Sequence, residues 1–94
     1  MQSPELLSQE STATHAPRYM TLIYNNDHST FDEVISTIMR ATGCDTEEAF
    51  IEAWEAHTYG KAPIHFANQV ECVQVARIME VIDVKTEVCL EWND

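Results

Sequence analysis

Residues 19–43, YMTLIYNNDHSTFDEVISTIMRATG, put an extended segment, a polar turn and a capped helix in immediate succession. From Tyr19 to Tyr24 the run is apolar and β-prone. Met20, Leu22 and Tyr24 fall on one face and Tyr19, Thr21 and Ile23 on the other, which predicts a first strand. Asn25-Asn26-Asp27-His28-Ser29 follows at once, and such side chains close turns by bonding back to the main chain. Thr30, with Glu33 three positions on, has the spacing of a capping box. In the helix it opens, Phe31, Val34, Ile35, Ile38 and Met39 share one stripe, and Gly43 stands where a left-handed residue ends helices.

Towards the C-terminus the punctuation repeats. Asp45 and Glu48 open a second helix that runs to about Thr58 and is closed by Gly60. Phe50, Ile51 and Trp54 are expected to supply core bulk, beside a stripe of small side chains, Ala49, Ala53 and Ala56, that ends in His57. Lys61 to Phe66 reads as a short strand, which Pro63 confines to a sheet edge because it cannot donate to a ladder. Asn68 and Glu71 give a third capping signal, for a helix whose Cys72, Val75, Ala76 and Met79 share a face. Val88, Leu90 and Trp92 alternate with Glu87, Cys89 and Glu91, the pattern of a strand with one buried face. The order β-α-α-β-α-β predicts an α+β sandwich, a small three-stranded antiparallel sheet packed against three helices. Towards the N-terminus, Met1 to Arg18 is rich in Ser, Thr, Gln and Glu and holds two of the three prolines. It is expected to be a flexible extension, with 19–94 as the core domain.

Ninety-four residues allow one compact domain with one core. Sixteen acidic against five basic side chains give a formal charge of −11, which repels phosphate backbones and anionic headgroups and favours a cationic ligand or partner. Neither nucleic acid nor membrane is an expected partner. Cys44, Cys72 and Cys89 are widely spaced with no CxxC, so neither a disulfide framework nor a zinc site is expected. Residues 1–18 lack the apolar stretch of a secretory signal, and no apolar run has membrane-spanning length. A soluble cytoplasmic protein is the expectation.

Two features could carry chemistry. The Asn25-Asn26-Asp27 cluster, between strand and helix, would form a rigid polar corner whose oxygens can accept from an ammonium group, although turn-forming Asx clusters are more often structural. His57, in the last turn of its helix, is explained by the helix dipole alone. The alanine stripe beside it nevertheless leaves volume that either a close-packed neighbour or a ligand side chain must fill. Enzyme readings find no support in a nucleophile turn, a phosphate loop or metal-ligand spacing. No cofactor is expected.

Tyr24-Asn25-Asn26-Asp27-His28-Ser29, then a helix, then His57-Thr58-Tyr59-Gly60-Lys61-Ala62, then Phe66, resembles the ClpS adaptor family over roughly Arg18 to Trp92. The resemblance implies an adaptor that binds N-degrons, proteins beginning with Leu, Phe, Tyr or Trp, and delivers them to the N-domain of the AAA+ unfoldase ClpA for degradation by ClpAP. It implies that Asn25, Asp27 and His57 contact the α-amino group, Asp27 through water. Ser29 and Phe31 would then line the pocket mouth, Val34, Ala53 and Ala56 its walls, and Thr86 and Val88 a C-terminal wall. The N-terminal extension would engage the unfoldase during delivery.

An imidazole that accepts from the amine must be neutral on that nitrogen, so binding is expected to weaken as falling pH protonates it. The chain departs from the family at Asn26, where an aspartate is usual, and at Phe31 and Ala53, where methionines are usual. Ala53 should enlarge the hole, favouring Trp or β-branched first residues unless Phe31 refills it. The other readings are an interaction module of the same shape that docks on an unfoldase or another protein without binding N-degrons, and a small hydrolase using His57.

Overall fold

The computed structural model describes residues 18–92, so the extension expected over Met1–Arg18 lies, Arg18 excepted, outside the described residues. Three strands and three helices follow in the expected order: β1 (Tyr19–Tyr24), α1 (Phe31–Thr42), α2 (Thr46–Tyr59), β2 (Lys61–Ala67), α3 (Gln69–Glu80) and β3 (Thr86–Leu90). The sheet is antiparallel with β1 in the centre, paired with β2 on one side and β3 on the other. Pro63 therefore lies on an edge strand, next to a register shift between Thr21 and Leu22, where its missing N–H leaves no central ladder bond unmade.

The helices begin and end where local chemistry dictates. The side chains of Thr30, Asp45 and Asn68 accept from the main-chain N–H of Glu33, Glu48 and Glu71, each satisfying one orphan donor of a first turn. Gly43 and Gly60 close α1 and α2 with φ of 79° and 94°, a conformation that costs glycine nothing. Helix α3 instead ends in the turn Val81-Ile82-Asp83, in which Asp83 takes a positive φ of 64°.

The core lies between the sheet and the helices: Ile23, Ile38, Ala49, Ala53, Ala56, Ala62, Ile64, Val75, Met79 and Val84 are buried together. Thr21, also buried, donates its hydroxyl to the Cys72 carbonyl at 2.9 Å and so ties the central strand to α3.

Helix α2 corrects one expectation. Phe50, Ile51 and Trp54 are 48%, 48% and 46% exposed, whereas Ala49, Ala53 and Ala56 are 0%, 3% and 4% exposed. The alanine stripe is the inward face: α2 lies close against β2, and small side chains are what such an approach admits. Strand β3 brings a second correction, for none of its residues is fully buried: Val88 is half-buried, and Leu90 at its end and Trp92 beyond it are exposed. A lesser difference concerns Arg18, whose carbonyl accepts from the Glu91 N–H at 2.8 Å and so joins the sheet end.

Candidate functional site

The end of β1 and the end of α2 are far apart in sequence but bonded in space. Gly60, the left-handed cap of α2, receives its own bond by donating N–H to the Ala56 carbonyl, and its carbonyl accepts from the Asn25 N–H at 2.9 Å. His57, one turn earlier on α2, is thereby brought beside Asn25. One residue upstream, the Tyr24 N–H donates to the Lys85 carbonyl at 2.9 Å, so the strand end is held from both sides.

The polar loop is held by Asn26. Its Oδ1 accepts from the N–H groups of His28 and Ser29 at 3.2 and 3.1 Å, and its Nδ2 donates to the Asp83 carbonyl at 3.3 Å. Ser29 donates its hydroxyl to the Ile82 carbonyl at 2.8 Å. Together these bonds fasten the loop to the turn after α3 and bring Val84, the first residue beyond that turn, under the loop. The expected rigid polar corner is present, and its rigidity comes from Asn26, which leaves the Asn25 side chain exposed on the corner.

Between these elements opens a cavity of about 210 Å³ lined by Ile23, Tyr24, Asn25, Asn26, Ser29, Phe31, Val34, Ala53, Ala56, His57 and Val84. Its wall is mostly apolar, with Asn25, Asn26, Ser29 and His57 supplying the polar atoms, the composition of a site that takes an apolar group with a polar end. For scale, a cavity of about 150 Å³ lined by aliphatic and aromatic side chains holds a benzene molecule.

The structure brings together Asn25, Ser29, Phe31, Val34, Ala53, Ala56 and His57, all singled out from sequence. Asp27 is exposed on the loop and outside the lining. Thr86 and Val88 also lie outside it: Thr86 donates to Glu80 at 2.8 Å, and Val88 is paired with Thr21 in the sheet. Val84 forms the wall expected of them. Ile23, Tyr24, Asn26 and Val84 were not anticipated as lining; the signal for Val84 was its place after a turn with no glycine, which says nothing about where the turn is fastened.

The electrostatics around the mouth are mixed. Tyr24 donates its hydroxyl to Glu87 at 2.6 Å, and that bond, followed by partial desolvation, pushes the phenol up from its usual range. Lys85 and Lys61 approach the same ring, with Nζ at 4.9 and 5.8 Å from its centroid. Among the described residues, no three His, Cys, Asp or Glu side chains are grouped as metal ligands would be. No helix among them is long and apolar enough to cross a membrane.

This architecture has a solved counterpart. The fold superposes on Agrobacterium tumefaciens ClpS2, solved bound to L-phenylalaninamide, with a TM-score of 0.74 at 12% sequence identity, covering 80% of this chain and 98% of that one. No curated protein sequence matches the chain. The profile of the family described as ATP-dependent Clp protease adaptor protein ClpS matches residues 14–90, which include every element of the fold and every residue lining the cavity. The chain belongs to the ClpS family of protease adaptors.

Proposed function

We propose that this chain recognises N-degrons, holding the free α-amino group of a substrate at Asn25 and His57 while the first side chain fills the adjoining cavity, and hands the substrate to a ClpA-type AAA+ unfoldase. One observation carries the reading: the Asn25 N–H to Gly60 carbonyl bond sets an asparagine and a histidine on the rim of a single apolar hollow. An amino terminus satisfies both parts at once. Its ammonium exchanges hydration for charge-assisted bonds to fixed acceptors, and the neighbouring side chain leaves water. An internal segment offers no ammonium. The formal charge of −11 adds a long-range attraction for that cation. L-phenylalaninamide, the ligand of Agrobacterium tumefaciens ClpS2, is a molecule of this chemistry, a free amine beside an aromatic side chain.

Asp27, exposed on the loop, acts on the amine through water. Ser29 and Phe31 border the mouth, Val34, Ala53 and Ala56 line the wall, and Val84 rather than Thr86 or Val88 closes it. With only a methyl group at Ala53 the hole is wide, so Trp and β-branched first residues are accepted alongside Leu, Phe and Tyr. Delivery takes place in the cytoplasm, with the extension before Arg18 engaging the unfoldase.

The test is an anisotropy titration with peptides that differ only in residue one. Leu-, Phe- and Trp-initiated peptides are expected to bind, their N-acetylated forms not to bind, and His57→Ala to lose roughly ten- to a hundredfold, the worth of a hydrogen bond to a charged group. Ala53→Met should narrow the hole and select against Trp. Equal binding of free and acetylated peptides would refute the assignment. An amine-independent interaction with an unfoldase would instead favour a docking module of the same fold.

A further inference from the structure

We infer that β3 is an association edge, on which a second copy of this chain pairs its own β3 antiparallel about Val88, joining the two sheets into one. The bonds at the strand ends fix which way each residue turns its main chain. The Tyr24 N–H donates to the Lys85 carbonyl and the Glu91 N–H to the Arg18 carbonyl, each between residues directly opposite in the β1–β3 register. Hydrogen-bonded pairs alternate along an antiparallel ladder, so Lys85, Glu87, Cys89 and Glu91 turn their main chain towards β1. Thr86, Val88 and Leu90 turn theirs outwards, where no described strand meets them. The opposite edge of the sheet is closed. There the Asn25 N–H donates to the Gly60 carbonyl, and the same alternation points the nitrogen of Pro63 outwards, so a further strand on β2 would find no donor at that position. Nothing comparable guards β3. It holds neither proline nor glycine, and the carboxylates in and beside it are engaged within their own sheet, Glu87 by the Tyr24 hydroxyl at 2.6 Å and Glu91 by Arg18 at 3.2 Å.

The occupant follows from the strand's complementarity to itself. With Val88 opposite Val88 of the second copy, Thr86 lies opposite Leu90, and each of these pairs exchanges both main-chain bonds. Lys85, exposed on the outer face, then lies opposite Glu91 of the second copy, twice by symmetry. A shift of two residues in one direction sets Glu87 against Glu87, and in the other Glu87 against Glu91, so like charges disfavour the neighbouring registers. The pairing also covers apolar surface. Leu90 and Trp92 are 44% and 74% exposed, and Trp92 is carried towards the turn that precedes β3 in the second copy, where Val81 is 80% exposed.

Sedimentation equilibrium of the full chain tests the pairing. The interface is small and each copy carries a formal charge of −11, so a dimer with Kd on the order of 0.1 mM is expected in about 0.15 M salt. Lys85→Glu turns two attractions into two repulsions and should weaken it about tenfold. Val88→Pro removes an outward N–H and no bond to β1, and should abolish it. Glu87→Cys sets a thiol opposite the free Cys89 of the second copy, with Cα atoms about 4.5 Å apart, close enough for a disulfide. Mild oxidation should then give a covalent dimer, and Glu87→Cys/Cys89→Ser should not. Lys85 and Glu87 are exposed, so these variants keep the test decisive should Val88→Pro fold poorly. A wild type that stays monomeric up to about 1 mM overturns the inference and leaves the edge to another occupant. A dimer that survives Lys85→Glu undiminished, or one that Glu87→Cys does not cross-link, overturns it equally.

Discussion

Glu52→Gln should stabilise this protein, and only at neutral to alkaline pH. Glu48, Glu52 and Glu55 recur at helical spacing on α2, so their carboxylates crowd one another. Glu52 is half-buried, and its Oε1 is shut off from water with no hydrogen-bond partner. Burial, then the charge and hydrogen bond of Glu48, then the charge of Glu55, push its carboxyl from the usual 4.5 up to about 8. A folded-state value above the unfolded one means the folded chain holds a proton that the unfolded chain has released. The associated stability is complete below about pH 4.5 and is lost as pH rises towards about 8.

Felt in full, that difference corresponds to about 5 kcal/mol. Glu52 is only partly buried, and solvent screening reduces the figure to about 1–2 kcal/mol. A glutamine has the same shape, carries no charge at any pH, and offers an N–H to Glu48. Thermal unfolding followed by circular dichroism should therefore give the variant and the wild type similar midpoints near pH 4.5. Near pH 8.5 the variant should lead by roughly 4–16 °C, since about 1 kcal/mol moves a domain of this size by 4–8 °C. A gap between the two curves that does not widen with pH would refute the reasoning.

Three further outcomes follow from the same geometry. Gly60→Ala meets no atom within 4 Å of the added Cβ, so its cost is the strain of a left-handed alanine, about 1–2 kcal/mol in chemical denaturation, with weaker peptide binding because Asn25 is tethered to that cap. Thr21→Val removes the buried hydroxyl that donates to the Cys72 carbonyl and should lower stability by about 1–2 kcal/mol in a urea titration at unchanged m-value. Asn26→Asp, although it restores the residue usual at that position in the family, loses the Nδ2 bond to the Asp83 carbonyl and sets an anion against it. It should cost about 1 kcal/mol and weaken binding by loosening the turn that holds Val84, measured by melting and anisotropy together.

Much of the fold could be read from short-range signals. Thr30, Asp45 and Asn68 each stand three residues before a glutamate, and Gly43 and Gly60 stand where left-handed caps are needed, so helix boundaries followed from main-chain chemistry that acts within one turn. Pro63 announced an edge strand for the same local reason, its missing N–H. The residues of the polar corner and the alanine stripe were likewise legible as types, but it was the resemblance to the ClpS family that named seven of the cavity's lining residues, Phe31 and Val34 among them.

What tertiary structure alone decided is which way those residues face and what they meet. Hydrophobicity places Phe50, Ile51 and Trp54 inside, yet the spacing between α2 and the sheet admits only Ala49, Ala53 and Ala56, and no local rule contains that spacing. The bond from Asn25 to Gly60, the tether from Asn26 to Asp83 and the arrival of Val84 in the wall join segments 35 to 59 residues apart in sequence. Such contacts depend on how whole elements pack, a sum over many weak interactions that a single stretch of sequence does not carry, and it is that packing which turned a turn, a histidine and a row of alanines into one cavity.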